Sequence, residues 1–222
     1  SSYSDENFTA SLNVFYMIFK DEIVKNGMID RFGQPVTGNV DQTIHSGIEI
    51  SGSFKALESV SLTLNGTFSN NYISRGATYI KFKKNGDAKK TVTAIDLSGN
   101  RIAGFPDMLF NMSIRYNSNG VMAILNGRYV GKFYSDNYDD KLGSYLSAFP
   151  RFIDYDDNQV DSYFTADFFA SFEFKIPAIS NSIKVFGQVN NIFDKLYASY
   201  AIGKEFFPAA ERNFMCGLQL GL

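Results

Sequence analysis

The chain has 222 residues, a size that one all-β domain can reach, and its 21 basic and 23 acidic side chains give a net charge of −2. That balance offers no basic footprint for nucleic acid, and the single cysteine, Cys216, excludes an internal disulfide framework. Aromatic residues make up 16% of the chain. No apolar run approaches the roughly 18 residues of a transmembrane helix, so residence in a membrane would require a β-barrel.

Alternation of apolar and polar side chains predicts eight antiparallel strands. They cover residues 8–20, 44–55, 60–69, 108–116, 121–133, 164–175, 183–194 and 213–222. Several exceed the roughly 5–6 residues common in globular strands and reach the roughly 9–11 residues of a tilted membrane span. The pattern therefore favours an antiparallel transmembrane β-barrel.

The connections between these strands alternate in length. Long loops are predicted at 21–42, 75–106, 135–160 and 195–209, and short turns at 56–58, 117–120 and 177–178. Outer-membrane barrels have short periplasmic turns and longer extracellular loops, so the long loops are predicted to face outside.

Aromatic side chains fall near both ends of the predicted spans on the apolar face, as the girdles of membrane barrels do. The predicted outer ring contains Tyr72, Phe133, Phe164, Phe193 and Phe214, and the inner ring contains Phe54, Tyr116 and Phe174. A soluble antiparallel sandwich would alternate in the same way. Strand length and the two aromatic rings favour the membrane.

Other features are predicted to be structural. His45, the only histidine, is expected on the polar face as a solvated or hydrogen-bonded side chain rather than a ligand, and Cys216 on the lipid-facing side. The acidic loop from Asp136 to Asp157 lacks the spacing of a calcium loop, which favours a solvated loop. The lysines at 81–90 also indicate a solvated loop, with lipopolysaccharide phosphates or an anionic ligand as the alternative contact.

Polar residues on the inner face are predicted to line the lumen; they include Glu49, Arg115, Arg128, Asp167, Glu173 and Lys184. The sequence has no nucleophile elbow, phosphate loop or metal motif. We therefore expect no enzyme activity, no cofactor and no metal site.

The C-terminal region carries a family resemblance. The segment V-N-N-I-F-D-K-L-Y at 189–197, then R-N-F at 212–214 and a final alternating strand, resembles the C-terminal end of TonB-dependent outer-membrane receptors. The segment P-A-A-E at 208–211 and the final Leu222 depart from the common pattern, which has glycine before the arginine and phenylalanine at the end. Segments 12–16, 46–49, 104–106 and 129–131 also resemble successive segments from the second half of such a barrel.

The resemblance implies a 22-stranded barrel, plugged by an N-terminal domain, that imports ferric siderophores, haem, cobalamin or glycans with energy from the TonB complex. Residues 1–222 are then expected to be its C-terminal part, with the plug and the earlier strands absent. Implied partners are the TonB complex through the missing N-terminal part, the remainder of the receptor, and outer-membrane lipid and lipopolysaccharide. Iron chelates are the default cargo, since a single histidine weakens the case for haem.

Two sets of residues follow from this resemblance. Loops 135–160 and 195–209 are expected to contribute to an outer binding vestibule, with candidate ligand contacts at Tyr138, Tyr145, Phe149, Arg151, Tyr155 and Tyr200. The expected barrel assembly signal comprises Phe214, Gly217, Leu220 and Leu222. The alternative function is a self-contained small barrel that acts as an adhesin or a structural protein.

Overall fold

A computed structural model describes residues 1–83, 90–176 and 180–221, and most of these residues lie in β-strands. In chain order the strands are β1 (Ser2–Ser4), β2 (Phe8–Ile29), β3 (Pro35–Leu57), β4 (Val60–Arg75), β5 (Ala77–Lys83), β6 (Lys90–Asp96), β7 (Met108–Ser118), β8 (Val121–Val130), β9 (Phe133–Tyr134), β10 (Gln159–Val160), β11 (Tyr163–Ile176), β12 (Ser180–Asn190), β13 (Ala198–Ile202), β14 (Glu205–Pro208) and β15 (Asn213–Gly221). A 3₁₀ helix (Asp139–Lys141) leads into the helix α1 (Leu142–Ala148). In the part of the chain that is described, no helix is long and apolar enough to cross a membrane.

One antiparallel sheet organises the molecule, in the order β1-β2-β3-β4-β7-β8-β11-β12-β15. The eight predicted strands are confirmed as its long members, and β1 adds a three-residue edge that pairs with β2. Within the described residues β1 and β15 each have one neighbour, so the sheet is open and matches part of a barrel wall. Three two-stranded ribbons, β5-β6, β9-β10 and β13-β14, lie in the long connections.

The predicted apolar face is confirmed by the register of the sheet. Leu12 lies opposite Ile50, and across the middle of the sheet Ile114 pairs with Leu125 and Leu125 with Phe168. Many large side chains on this face are exposed, including Phe168, Leu218 and Leu220. An apolar surface that runs in register over eight strands without a covering layer suits contact with lipid tails.

The opposite face carries polar side chains that bond across neighbouring strands. The hydroxyls of Thr9 and Ser53 lie 2.7 Å apart, and Asn13 Nδ2 donates to Glu49 Oε2 at 2.9 Å. Further such pairs are Ser11 with Ser51, Asn111 with Asn65, and Asn190 with Asn213. This ladder agrees with the predicted polar lining of the inner face.

The predicted loop at 21–42 is wrong, because these residues continue β2 and β3 into a tall hairpin closed at residues 30–34. The Asn26-Gly27 turn signal forms a bulge instead, where the register shifts between Lys25 and Ile29 and Gly27 has φ +80°. Asp21 also has a positive φ of 54°. Beyond Asp21 the odd- and even-numbered side chains of β2 exchange faces. Phe19 and Glu22 would lie on opposite faces of a regular strand, yet both contact His45 on the inner face.

Other predicted boundaries are confirmed or corrected locally. The tight turn at Asn119-Gly120 is present, and its positive φ values of 52° and 78° suit a two-residue hairpin. Phe133 is not in the outer aromatic ring: β8 ends at Val130, and Phe133 is buried in β9. The predicted loops 75–106, 135–160 and 195–209 contain the ribbons and α1. The predicted turn at 177–178, the lysines Lys84 and Lys89, and Leu222 lie outside the described residues.

Burial is concentrated beyond the long-connection end of the sheet, in a region we call the loop layer: residues 76–83, 90–107, 131–162 and 191–212 together with residues 21–42 of the hairpin. One buried cluster contains Val24, Val40, Ile73, Ile95, Leu97 and Ile102. A second contains Val130, Phe133, Val160, Tyr163 and Ala201. The long connections therefore form packed structure rather than free loops.

Candidate functional site

A buried carboxylate holds one long connection together. Asp136 has no exposed surface, and its Oδ1 accepts hydrogen bonds from Tyr138 N and Asn158 Nδ2, each at 2.8 Å. Its Oδ2 accepts a hydrogen bond from Tyr155 Oη at 2.7 Å. The carboxylate thus joins the start of this connection to its end, about twenty residues later in the chain.

Neighbouring amides extend this network to the preceding connection. Asn100 Nδ2 donates to Asn137 O at 2.9 Å and to Tyr145 Oη at 2.8 Å, while Asn100 Oδ1 accepts from Lys141 Nζ at 2.7 Å. Asn137 Oδ1 accepts from Ala103 N at 2.8 Å, and Asn137 Nδ2 donates to the carbonyl of Lys25 in the hairpin. Asn100 and Asn137 are both buried, so these bonds form away from water.

The last connection joins the layer through a backbone crossing. Ser135 Oγ donates to Gly203 O at 2.6 Å, and Gly203 N donates to Ser135 O at 3.1 Å. A Cβ on Gly203 would lie 2.0 Å from the carbonyl oxygen of Gly27, so only glycine allows this approach. One network therefore links the hairpin and the three long connections.

A cleft of about 430 Å³ opens between these connections, within the range of small-molecule sites. Its aromatic walls are Tyr79, Tyr138, Phe152 and Tyr155. The remaining lining residues are Asn26, Gly27, Met28, Ile29, Thr78, Ile80, Ile153, Asp154, Ile202, Lys204 and Glu205. At the rim Lys204 Nζ donates to Asp154 Oδ2 at 2.6 Å, between two exposed side chains.

Burial sets the protonation of the groups around the cleft. Desolvation raises the pKa of Asp136, although its three hydrogen bonds partly oppose that rise. Burial and the nearby Asp136 charge raise the pKa of Tyr138 to about 12, and they raise the pKa of Tyr155 well above its ordinary value. The hydrogen bond from Lys204 lowers the pKa of Asp154. Both tyrosines therefore present neutral phenols at physiological pH.

Such a cleft can stack against a ligand and exchange hydrogen bonds with it. The described residues contain no group of three or more His, Cys, Asp or Glu side chains placed to hold a metal. Neutral phenols and apolar walls suit a ligand with flat or apolar surfaces.

The structure separates the six predicted ligand contacts into different environments. Tyr138 and Tyr155 line the cleft. Tyr145 and Phe149 pack against the first buried cluster, and Tyr145 Oη also donates to Asp96 O at 2.8 Å. Arg151 is exposed, and Tyr200 lies under Lys25 Nζ, which is 4.1 Å from its ring centroid. A role for any of the six in ligand binding remains a prediction.

The prediction of a solvated acidic loop is wrong for two of its aspartates. Asp136 and Asp139 are both buried, whereas Asp154, Asp156 and Asp157 are exposed as predicted. Asp139 accepts hydrogen bonds from Arg101 N at 2.9 Å and from Lys141 N at 3.1 Å. The buried carboxylates thus accept hydrogen bonds from N–H and O–H donors instead of facing water.

Sequence reasoning missed Tyr79 and Phe152 as cleft residues and the burial of Asp136. Nothing in the sequence around Tyr79 or Phe152 indicates that these two distant segments meet at one cleft. The only available signal was local: Asp136 stands two residues before Tyr138, and its Oδ1 accepts that residue's N–H, as aspartates in turns often do.

His45 is confirmed as a hydrogen-bonded side chain of the inner face. It is buried, with Nδ1 2.9 Å from Asn71 Oδ1 and Nε2 3.0 Å from Glu22 Oε2. Its ring packs edge-on against Phe19 and Phe105 at centroid distances of 5.3 and 5.4 Å. These contacts account for the histidine without a ligand.

The C-terminal motif has a structural explanation. Asn191 has φ 52°; its Oδ1 accepts from Lys195 N at 2.9 Å, and its Nδ2 donates to Lys195 O at 3.0 Å and to Ala210 O at 3.3 Å. Asp194 Oδ1 accepts from Arg212 N at 2.9 Å. The asparagine and the aspartate thus close the loop that precedes the final strand.

Of the predicted assembly residues, Phe214 and Leu220 project from the apolar face opposite Val189 and Ile183. Cys216 is exposed on the same face, as predicted. Gly217 lies on the inner face under the Phe186 ring, where a Cβ would be 2.5 Å from a ring atom. Their role in assembly remains a prediction.

Comparisons with known proteins agree with this architecture. The family model described as TonB dependent receptor-like, beta-barrel, matches residues 2–192. No curated protein sequence matches the chain.

Several solved structures share the fold. The siderophore receptor PiuA from Acinetobacter baumannii is 16% identical with a TM-score of 0.66 over 97% of this chain and 26% of its own. The unliganded ferric citrate transporter FecA is 18% identical with a TM-score of 0.65 over 98% of this chain and 29% of its own. The ferric yersiniabactin uptake receptor FyuA from Yersinia pestis is 16% identical with a TM-score of 0.61 over 98% and 28%. The chain therefore spans under a third of the length of each of these structures.

Proposed function

The chain belongs to the TonB-dependent receptor-like β-barrel family, and from that premise we propose that it is the C-terminal part of a receptor for nutrient uptake across a bacterial outer membrane. The plug domain and the earlier barrel strands would lie outside residues 1–222. The family consists of transport receptors, and its barrels reside in the outer membrane. We propose accordingly that this chain has no enzymatic role.

One observation carries the proposal: the apolar face stays in register across eight long strands. The central row runs from Ile114 through Leu125 and Phe168 to Val189. The other face is polar over the same strands. A wall with lipid on one side and a polar lumen on the other is what a large outer-membrane barrel requires.

We further propose a ferric siderophore or a similar iron complex as the cargo, bound first at the loop layer. The aromatic cleft around Tyr138 and Tyr155 supports this, because it offers stacking surfaces and uncharged phenol groups. PiuA, FecA and FyuA are described by siderophore, ferric citrate and ferric yersiniabactin uptake. The secondary candidates are Arg151, which is exposed, and the partly buried Tyr145, Phe149 and Tyr200.

The partners proposed with this function follow from the receptor class. The TonB complex would contact the receptor through its N-terminal part, and the remaining barrel strands would pair with the free edges at β1 and β15. Lipid and lipopolysaccharide would cover the apolar face. Phe214, Gly217, Leu220 and Leu222 are proposed as the assembly signal at the final strand.

Uptake by cells tests the proposal. Cells that carry the gene encoding this chain, and matched cells without it, are given radioactive iron as a panel of siderophore complexes. We expect gene-dependent accumulation of at least one complex, lost when the TonB complex is disabled. Equal accumulation with and without the gene for every complex would reject iron uptake.

The alternative, a self-contained small barrel, would require β15 to pair with the opposite edge of the sheet. In the described residues β15 pairs with β12 alone, and the other side of β2 pairs only with the three-residue β1, at residues 9–11. No feature of the loop layer favours adhesion over uptake. We therefore retain the receptor as the proposed function.

A further inference from the structure

We propose that Asp136 is a positioning residue for the cleft: its buried carboxylate fixes the Tyr138 and Tyr155 walls without itself touching a ligand. The proposal rests on the proposed function only in treating the cleft as the ligand site. The positioning itself follows from the geometry of the described residues.

Asp136 lies behind the cleft rather than in it. Its side chain is fully buried and does not line the cavity, whereas Tyr138 and Tyr155 do. The carboxylate accepts one hydrogen bond from the backbone N–H of Tyr138 and another from the phenol O–H of Tyr155. One group therefore sets the backbone of one wall and the ring orientation of the other.

The choice of a carboxylate is informative. Among the described residues, no Lys, Arg or His nitrogen lies within 4.0 Å of Asp136 to neutralise it. A buried carboxylate without a cation is costly compared with a neutral amide. An aspartate, however, accepts at both oxygens, so it satisfies all three donors at once, whereas an asparagine would present an NH₂ group to one of them.

The hairpin locks the back of Asp136. A Cβ on Gly27 would lie 2.7 Å from the Cβ of Asp136, so Gly27 leaves no room for a side chain between the hairpin and Asp136. The hairpin residues 26–29 also line the cleft. A displacement of Asp136 would therefore move both the tyrosine walls and the hairpin wall.

Tyrosine nitration of the intact gene product in detergent, without ligand, tests this inference. Tetranitromethane attacks the phenolate, which burial and, after it, the Asp136 carboxylate disfavour at Tyr155 by raising its pKa. We expect Asp136→Asn to raise nitration of Tyr155 roughly tenfold, the ratio that corresponds to one charge-assisted hydrogen bond. The exposed Tyr3, in β1 and outside the loop layer, serves as the internal reference, and Asp157→Asn, at an exposed aspartate of the same connection, should change nothing.

Equal nitration of Tyr155 in the wild type and in Asp136→Asn would overturn the inference. If Asp136→Asn does not fold, the tyrosines of the wild type and of Tyr155→Phe are each titrated at alkaline pH by absorbance, and the Tyr155→Phe curve is subtracted from the wild-type curve. The difference should then contain a phenol that ionises far above the ordinary tyrosine pKa. A Tyr155 that ionises at the ordinary pKa would reject the contact with Asp136.

Binding of ferric citrate and of a ferric catecholate complex connects positioning to function. For a probe that binds, Asp136→Asn and Tyr155→Phe should each weaken affinity, and the double variant should be no weaker than the stronger single effect. An unchanged affinity in Asp136→Asn beside a weakened Tyr155→Phe would reject positioning. If neither complex binds and no complex is taken up by cells, the proposed function fails, while nitration still decides the role of Asp136.

Discussion

His45 Nε2 lies 3.0 Å from Glu22 Oε2 on the inner face of the sheet, and the pairing depends on the left-handed residue Asp21 between Lys20 and Glu22. Without that reversal, Glu22 would follow the even-numbered residues of β2 to the lipid side. A single positive φ thus brings a carboxylate inward to the only histidine.

Replacing His45 by alanine should destabilise the sheet at this point. The change removes two buried hydrogen bonds and the edge-on packing with Phe19 and Phe105, so we expect a loss of about 1–3 kcal/mol in the free energy of unfolding. Urea unfolding in detergent measures it. Lys55→Ala, at an exposed residue on the same face of β3, is the control; equal midpoints for both variants would contradict the prediction.

Gly203→Ala should disrupt the loop layer. The new Cβ would collide with the Gly27 carbonyl oxygen, and the φ of 53° disfavours alanine, so we expect a cost of at least about 1–2 kcal/mol. Limited proteolysis of the long connections should accelerate accordingly. Gly38→Ala, where a Cβ meets nothing within 4 Å and φ is ordinary, should leave cleavage unchanged. Equal protease resistance of the two variants would disprove the collision.

A lysine on the lipid-facing row should oppose folding into a membrane. Leu125 lies in the middle of that row, and a cation there is expected to cost about 2–4 kcal/mol near the bilayer centre. Refolding into lipid vesicles, measured as the folded fraction, checks this. Asn126→Lys places the same charge on the opposite face of the same strand and should refold normally. If Asn126→Lys is the more damaging change, the two faces have been assigned the wrong way round.

Tyr138 gives a pH dependence with a defined sign. Because burial raises its folded pKa from 10.0 to about 12, the fold favours the neutral phenol. Its contribution to stability is fully present below pH 10 and is lost as the pH rises through about 12. The difference in alkaline absorbance titration between the wild type and Tyr138→Phe should show one late ionisation. A difference centred at the ordinary tyrosine pKa would mean that Tyr138 is not buried in solution.

Asn191→Ala should weaken the closing loop before the last strand. It removes three hydrogen bonds and places alanine at a φ of 52°, for an expected cost of about 1–3 kcal/mol in unfolding free energy. Asn191→Gly removes the same bonds but tolerates that φ, so it should cost less. If glycine is as harmful as alanine, the hydrogen bonds alone account for the asparagine.

The sheet was predictable from the sequence because apolar side chains recur at every second residue, as at Val60, Leu62 and Leu64. The tight turn at Asn119-Gly120 was predictable for a similar local reason. The tall hairpin was not, since Asn26-Gly27 and Gly33 look like loop signals and only pairing with β3 turns them into a bulge and a tip. The burial of Asp136 depends on Asn158 and Gly27, which are distant in sequence, so local polarity indicated the wrong environment.

The shared network of the loop layer affects how this surface can be engineered. Transplanting residues 135–158 alone into another barrel would leave behind Asn100, Gly27 and Gly203, which complete their buried contacts. A peptide insertion belongs instead at Gly33, in the exposed hairpin tip, where nothing approaches within 4 Å of an added Cβ. The long connections therefore have to be transferred together, whereas an insertion at Gly33 meets no neighbouring residue.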